Sequence, residues 1–276
     1  MTSADQSPKR KPWSDIDLNR WRDYDHVETD SLWLYGSRAS GDGHKLDYHG
    51  NFIPQIATQI FTRYSRAGEI VLDMFLGSGT SAIEAVRLNR RCVGVELKAD
   101  LVDYVAGKLE PAAAAGQVRL LQGNSANPAV VKQVRQAFAA MGQTHAQLLM
   151  LHPPYADIIK FSGQADDLSN ATSTAAFLDG FEAVARHGFE LLAPGRFAAL
   201  VIGDKYEKGE LTPLGFWCME RMNRVGFKTK AIIVKNIEGI EKGKGKAANL
   251  WRYRALAGGY YIFKHEYVMV FFKPKH

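Results

Sequence analysis

The feature that most constrains how this chain folds is an alternation of short apolar stretches with segments of helical periodicity, which runs from about residue 53 to residue 202. Apolar side chains recur at helical spacing over 53–65, which indicates a helix, and the apolar run at 70–72 indicates a short buried strand. Further strands are expected at 92–95, 118–121, 148–151, 197–202, 230–235 and 267–272, with helices at about 79–89, 101–109, 129–140, 175–192 and 213–225. This order predicts an α/β fold, a doubly wound, mostly parallel sheet of seven strands.

The domain organisation follows from where this alternation begins and where it breaks. The chain has 276 residues, 46% of them hydrophobic, which suffices for one sizeable core. We expect residues 1–47 to form an N-terminal arm with a disordered first part, and residues 48–276 to form the main domain. The aromatic side chains of the arm are expected to pack on that domain rather than to contact a partner. Residues 236–262 break the alternation and are expected to form an irregular, mobile insertion.

Composition argues against several classes of protein. No apolar run is long enough to span a membrane, and residues 1–15 lack the apolar centre of a signal peptide. Cys92 and Cys218 stand in separate apolar stretches, so we expect core residues of a reducing cytoplasm and no metal site. The formal charge of +6 and the pI of about 9.2 suit a polyanionic partner such as nucleic acid, although an ordinary basic protein has the same balance.

A glycine-containing loop follows the first buried strand, in the sequence DMFLGSGT at 73–80. Ligands of open parallel sheets bind at the carboxyl ends of the strands, and a glycine there lets the backbone approach a ligand closely. The helix that follows presents free N–H groups, which favour a carboxylate or a phosphate. We therefore expect a cofactor at this loop.

Two acids favour S-adenosylmethionine over a dinucleotide at this loop. Asp73 would repel a pyrophosphate but can accept hydrogen bonds from an ammonium group, and Ala82 stands where a dinucleotide site has its third glycine. Glu96 ends the second strand, where an acid can bind both ribose hydroxyls. After the third strand, Asn124 is expected either to contact the adenine edge or to cap the next helix. A nicotinamide oxidoreductase and a purely structural turn are the alternatives.

The fourth strand runs into His152-Pro153-Pro154-Tyr155, which is a candidate catalytic tetrapeptide. The two prolines are rigid and offer no N–H, so the Pro153 carbonyl is available as an acceptor. Together with an acceptor at His152 it can hold the two N–H groups of an exocyclic amine and orient the nitrogen lone pair. Tyr155 can stack on a base that has left its helix.

These two motifs, in this order and at these strand ends, resemble those of the N6-adenine and N4-cytosine DNA amino-methyltransferase family. That family has a D-x-F-x-G-S-G-T cofactor loop and an (Asp/Asn/Ser)-Pro-Pro-aromatic catalytic loop. Residues 50–55 resemble the segment that precedes the cofactor loop in many members, and 265–267 resemble a further family feature. The resemblance implies a Rossmann-like class I methyltransferase that binds S-adenosylmethionine. The cofactor-binding residues that it implies are Asn51, Phe52, Ile53, Asp73, Met74, Phe75, Gly77, Gly79, Thr80, Ser81, Glu96, Asn124 and Ser125.

Two positions depart from the family pattern. His152 replaces the usual Asp, Asn or Ser, which removes the hint that distinguishes adenine from cytosine. A neutral imidazole can accept a hydrogen bond from the target amine or take up its proton afterwards. Asn124-Ser125 stands where the family often has an acid, which puts cofactor affinity in question. A degenerate, inactive copy of the enzyme is an alternative at this point.

Target recognition in the family uses a variable segment, and the candidates here are 236–262 and 156–174. Basic residues interleaved with aromatic ones can neutralise phosphates and stack on bases, although a solvated basic loop has the same composition. The candidate nucleic-acid contacts are Lys242, Lys244, Lys246, Trp251, Arg252 and Arg254. The resulting hypothesis is a DNA methyltransferase of a restriction-modification, regulatory or phage-borne system. Because the insertion is short, it is expected either to recognise a short site or to recognise its site together with a second protomer, as in a homodimer, or a partner subunit. An RNA amine methyltransferase and a catalytically silent nucleic-acid-binding subunit are the rivals.

Overall fold

The computed structural model describes residues 11–36, 51–154, 167–207, 209–237 and 248–275. In chain order the strands are β1 (Leu32–Trp33), β2 (Ile70–Asp73), β3 (Arg91–Glu96), β4 (Val118–Gln122), β5 (Ala146–Leu151), β6 (Leu192–Ile202), β7 (Lys205–Glu207), β8 (Glu210–Thr212), β9 (Lys228–Asn236) and β10 (His265–Phe272). The helices are α1 (Pro54–Tyr64), α2 (Thr80–Arg87), α3 (Ala99–Lys108), α4 (Glu110–Ala114), α5 (Pro128–Ala140), α6 (Thr174–Leu191), α7 (Leu214–Val225) and α8 (Ala248–Gly258).

The main sheet has, within the described residues, eight strands in the order β1-β9-β10-β6-β5-β2-β3-β4. β10 runs antiparallel to both β6 and β9, and the other pairs are parallel. The predicted doubly wound, mostly parallel α/β sheet is therefore confirmed. The carboxyl ends of β5, β2 and β3 meet at one edge of the sheet, which we call the carboxyl edge.

The predicted count of seven strands is wrong by one. The additional strand is β1 in the N-terminal arm, where Leu32 pairs with Val234 of β9. Two residues are too few to show the alternation by which a strand is recognised in a sequence. The small antiparallel hairpin of β7 and β8 was also not predicted, since its strands are three residues long.

The boundaries of the remaining elements differ from the predictions by a few residues, with one larger exception. β6 begins at Leu192 rather than at 197, so the strand includes the Pro194-Gly195 pair that was expected to precede it. Gly195 has a φ of +76°, and its N–H donates to the Lys273 carbonyl after β10. The Pro194-Gly195 pair is therefore a local irregularity within β6 that keeps a hydrogen bond to the chain after β10, although the pair predicts a turn in the sequence.

The hydrophobic core occupies both faces of the main sheet. Along β2, Ile70 and Leu72 face the layer of α5, α6 and α7, while Val71 faces the layer of α1, α2 and α3. Cys92 and Cys218 are both free and buried, one in each layer, as expected for core residues. The sheet is therefore covered on both sides, and ligand access is left to its edges.

The described part of the N-terminal arm packs on the domain through Trp13 and Trp33, as predicted, whereas Trp21 of the same arm is 59% exposed and does not pack. Trp33 is 1% exposed within the α1 layer, and the Trp13 ring lies 5.3 Å from that of Phe197. Gln59 of α1 ties the arm down by accepting from the Glu28 N–H and donating to the His26 carbonyl. Residues 1–10 and 37–50 lie outside the described part, so the predicted disorder of the first residues has no structural counterpart here. Across the described ranges, no helix has the length and apolar character that crossing a membrane requires.

Candidate active site

The loop after β2 has a conformation that only glycine adopts without strain at two positions. Gly77 and Gly79 have φ values of +57° and +87°. A Cβ on Gly79 would lie 2.7 Å from a methyl group of Val105 in α3, which is closer than real contacts. The loop is also held to the sheet, because the Leu76 N–H donates to the Val95 carbonyl of β3. Backbone therefore passes close to the carboxyl edge with no side chain in the way.

Three hydroxyls at the start of α2 are buried. Ser78 Oγ and Thr80 Oγ1, whose residues are 1% and 3% exposed, have no hydrogen-bond partner among the described residues, whereas the Ser81 hydroxyl interacts with Asp73. Gly79 precedes the first turn of α2 and provides no side-chain cap for its N–H groups. Buried polar atoms are normally paired, so this group of donors and acceptors fits a polar ligand.

Asp73 ends β2 beside this loop and is 1% exposed. Its Oδ1 accepts a hydrogen bond from the Phe75 N–H at 2.8 Å. Burial raises the pKa of Asp73 to about 6, although the Ser81 hydroxyl and the Phe75 N–H lower it, and the nearby Glu96 raises it further. A carboxylate that is buried at this cost gains from a cation placed against it, so the site suits an ammonium group.

Glu96 ends β3 on the neighbouring strand and braces the same loop. Its Oε2 accepts from the Gly77 N–H at 2.8 Å, and its Oε1 accepts from the Lys98 N–H at 2.9 Å. Burial raises the pKa of Glu96, and these backbone hydrogen bonds lower it. Each carboxylate oxygen has a second lone pair, so both can still accept from a pair of vicinal hydroxyls.

Asn124 and Ser125 follow β4 and turn the chain toward α5. Asn124 Oδ1 accepts from the Ala126 N–H at 2.8 Å, while Asn127, not Asn124, is the residue that caps α5. The helix-cap alternative for Asn124 was therefore wrong. Ser125 Oγ donates to the Met74 carbonyl at 2.6 Å, and His187 of α6 lies 2.9 Å from the Ser125 carbonyl. His187 was missed by the sequence analysis because it lies far from both motifs in the chain.

The segment before α1 lies against the candidate catalytic tetrapeptide. The Phe52 ring meets the His152 ring edge to face, with centroids 5.2 Å apart. Asn51 and Ile53 flank it at the start of α1, where Pro54 occupies the first turn. Residues 51–53 thus lie at the carboxyl edge, close to the loop at which a cofactor is expected.

His152 follows β5, which lies between β2 and β6, so the tetrapeptide is adjacent to the glycine loop. Asp73 is in register with Met150, two residues before His152. Burial lowers the pKa of His152 to about 4, against a smaller opposing effect of Glu266. The imidazole is therefore neutral near pH 7 and retains one acceptor nitrogen. Pro153 is buried and Pro154 partly buried, and Tyr155 lies outside the described residues.

A buried ion pair lies on the same edge at β9 and β10. Lys235 Nζ is 2.9 Å from Glu266 Oε1, and the two residues are 5% and 7% exposed. Glu266 stands in the family-like segment 265–267, but no feature of the sequence marks Lys235. The pairing of Lys235 with Glu266 could not be predicted from one sequence, because 31 residues separate them in the chain.

The residues expected to contact nucleic acid are described only in part. Lys242, Lys244 and Lys246 lie outside the described residues, as do 156–166 of the second candidate loop. Arg252 and Arg254 are exposed on α8, to which Trp251 also belongs. The expectation that 236–262 is irregular throughout was wrong, because α8 occupies Ala248–Gly258. The apolar residues of α8 do not lie along one face of the helix, so the sequence lacks the amphipathic pattern from which a helix is predicted.

Comparison with known proteins identifies similar sequences and a similar fold. A family described as DNA methylase matches residues 3–107, a stretch that includes the N-terminal arm and the cofactor loop. The type II methyltransferase M.MjaII of Methanocaldococcus jannaschii is 32% identical over 50 residues, which are 18% of this chain and 9% of that protein. The type II methyltransferase M.ScaI of Streptomyces caespitosus is 34% identical over 83 residues, 29% of this chain and 27% of that protein.

The fold also has counterparts among solved structures. TrmN from Thermus thermophilus superposes with a TM-score of 0.50 at 16% identity, covering 82% of this chain and 50% of that one. At that identity the likeness concerns the fold alone. The catalytic tetrapeptide lies beyond the stretch that the family matches, so its assignment depends on its position beside the glycine loop.

Proposed function

We propose, from the premise that this chain belongs to the DNA methylase family of N6-adenine and N4-cytosine methyltransferases, that it methylates an exocyclic amine of a base in DNA. The methyl donor of this family is S-adenosylmethionine. One observation carries the proposal. The acid-flanked glycine loop after β2 and the His152-Pro153-Pro154 segment after β5 leave neighbouring strands at the same edge of the sheet.

The cofactor side of this edge offers a complementary group for each polar part of S-adenosylmethionine. Asp73 accepts from the ammonium group, and Glu96 accepts from the ribose hydroxyls through its remaining lone pairs. The unpaired hydroxyls of Ser78 and Thr80 and the uncapped N–H groups of α2 suit the carboxylate. The cofactor, when bound, supplies a methyl group activated by a positively charged sulfur.

The catalytic residues position the target amine rather than activate the methyl group. A neutral His152 accepts a hydrogen bond from one amine N–H, and the Pro153 carbonyl accepts from the other. Because both hydrogens are held, the nitrogen lone pair points toward the cofactor side of the edge. Phe52 packs edge to face against His152 and fixes the plane of the imidazole. Tyr155 is the aromatic residue that stacks on the base.

Recognition of DNA is assigned to the segment between β9 and β10, with Lys242, Lys244, Lys246, Trp251, Arg252 and Arg254 as its contacts. The chain leaves β9 and enters β10 at the carboxyl edge, and only β6 lies between β10 and β5, so the two ends of the segment lie at the same edge of the sheet as His152. Lysine and arginine there neutralise phosphates, which gives affinity but not sequence specificity.

The test is transfer of labelled methyl from S-adenosylmethionine to double-stranded DNA, single-stranded DNA and RNA, with the products digested to nucleosides and identified by mass. We expect label in N6-methyl-2′-deoxyadenosine or N4-methyl-2′-deoxycytidine from DNA. Label in RNA alone would move the function to the rival substrate. Intact cofactor binding without label in any nucleic acid would support a silent subunit, and absence of cofactor binding would refute the site.

A further inference from the structure

A hairpin and a helix next to the catalytic edge form one unit that we call the aromatic ridge, consisting of β7–β8 and residues 252–263. Its outer side chains are unusually exposed for their size. Tyr253, Leu256 and Tyr261 are 68%, 70% and 86% exposed. Large apolar side chains in this number on one element mark a contact surface rather than a solvated loop.

Three rings lock the hairpin to the segment that follows α8. The Tyr206 ring of β7 lies 4.9 Å from that of Phe263, nearly parallel to it, and 5.2 Å from that of Tyr260. The Tyr206 hydroxyl also accepts from the Tyr261 N–H at 3.3 Å. The backbone of Tyr261 is thereby fixed to a second element of the fold, although its ring is in solvent.

The glycines at the end of α8 explain why one tyrosine turns inward and the next outward. Gly259 has a φ of +67°, a left-handed conformation that ends a helix, and the Tyr260 N–H returns to the Ala255 carbonyl. A Cβ on Gly258 would lie 2.8 Å from the Tyr260 ring, so the missing side chain makes room for that ring. Tyr260 is folded back on the helix end, and the next residue, Tyr261, is left exposed.

A chain of contacts connects the ridge to the strand beside the catalytic tetrapeptide. Phe263 packs on His265, and His265 Nε2 lies 3.2 Å from the Tyr267 hydroxyl. That hydroxyl donates to Asp204 at 3.0 Å, just after β6. β6 neighbours β5, from which His152 emerges. The exposed Tyr261 is therefore held by successive side-chain contacts to the edge where a target base would enter.

Charge identifies the occupant of this surface. Residues 237–264 contain six lysines and arginines and two glutamates. A basic segment with projecting aromatic rings matches a polyanion whose bases have flat apolar faces, and it matches an apolar protein partner less well. A second basic copy of this chain, at a formal charge of +6, would repel the segment.

We propose that Tyr261 stacks on a base of the bound DNA next to the target nucleotide and that the aromatic ridge holds it there. The proposal rests on the proposed function, since it needs DNA at the carboxyl edge. Removing a base from a duplex exposes the faces of its neighbours, and a fixed ring restores the lost stacking. The backbone of Tyr261 is already held in the free protein, so binding has to order only its side chain.

The test compares Tyr261→Ala with Tyr261→Phe, which keeps the ring, on a DNA duplex that the wild-type protein methylates. Trp21→Ala is the matched control, because Trp21 is 59% exposed on the N-terminal arm. We expect Tyr261→Ala to raise the Kd for DNA about tenfold, the magnitude of one lost stack, with kcat at saturating DNA changed less. Tyr261→Phe and Trp21→Ala stay near wild type. A fluorescent adenine analogue beside the target should be quenched by the wild type and by Tyr261→Phe, and less by Tyr261→Ala.

The outcomes separate this proposal from the function itself. If the wild type methylates DNA and Tyr261→Ala binds and quenches like it, the stacking role is refuted and the function stands. Equal losses in Tyr261→Phe and Tyr261→Ala would assign the effect to the hydroxyl and also refute stacking. If Tyr261→Ala weakens binding to RNA but leaves the Kd for DNA unchanged, DNA is not the occupant of this surface. A wild type that methylates no DNA refutes the function before any variant is compared.

Discussion

The two halves of the carboxyl edge are built in opposite ways. On the cofactor half, Asp73 is 1% exposed and a Cβ on Gly79 would meet Val105 at 2.7 Å. On the recognition half, Tyr261 is 86% exposed and a Cβ on Gly259 would meet nothing within 4 Å. A ligand of fixed shape permits a closed and tightly packed site. A long polymer requires an open surface, and here the contacts of Tyr206 with Tyr260 and Phe263 hold that surface to the rest of the fold.

The largest effect is expected where the two halves meet, at His152. His152→Ala removes the acceptor that orients the amine, and the methyl-transfer rate at saturating substrates should fall about 100-fold, the magnitude found when one positioning group is lost. His152→Asn restores an acceptor oxygen and should recover much of that rate. Single-turnover kinetics measures both variants, with cofactor affinity as the control that should stay unchanged. Full activity of the alanine variant would remove His152 from the catalytic residues.

The packing difference itself is tested by the same substitution on each half. Gly79→Ala should lower the free energy of unfolding by about 3 kcal/mol, because alanine has an unfavourable positive φ and its methyl group overlaps Val105. Gly259→Ala carries the conformational cost alone, about 1 kcal/mol. Denaturant unfolding followed by circular dichroism gives both values. Equal losses would show that the two halves are packed alike.

The next effect is a pH dependence of cofactor affinity that comes from the ionisation of Asp73. Because burial raises the pKa of Asp73 to about 6, its carboxylate predominates only above that pH. An ammonium ligand binds the carboxylate, so affinity for S-adenosylmethionine should fall as the pH decreases below about 6. Asp73→Asn should weaken binding about 30-fold at pH 7.5, where the wild type is ionised, in line with a lost charge-assisted hydrogen bond.

Calorimetry across pH 5 to 8 measures this dependence, and Glu96→Gln serves as the comparison. Glu96→Gln should keep the pH dependence that belongs to Asp73 but shift it to lower pH, because the charge of Glu96 raises the pKa of Asp73. An Asp73→Asn protein whose affinity still falls steeply below pH 6 would assign the titration elsewhere.

The same contrast explains what the sequence could predict. The strands of the cofactor half and the positions of Asp73, Gly77, Gly79 and Glu96 follow from local patterns, since the glycines and acids stand directly at strand ends. The recognition half depends on contacts between distant segments, such as Tyr206 with Phe263 or Lys235 with Glu266. One sequence contains no signal for such pairs, and β1 and the β7–β8 hairpin are too short to show a period.

The smallest effect is expected from the lysines at 242, 244 and 246, because each exposed phosphate contact adds little affinity at moderate salt. If all three contact phosphates, replacing them by alanine should reduce the slope of log K against log salt by roughly 3, since each neutralised phosphate of B-DNA contributes about 0.9. Lys228→Ala/Lys230→Ala is the matched control, since both lysines are exposed at the opposite end of β9. Fluorescence anisotropy with duplex DNA over a salt series measures the slopes. An equal slope for the triple variant and the wild type would show that these three lysines do not contact phosphates, and would leave Arg252, Arg254 and the aromatic side chains as the binding surface.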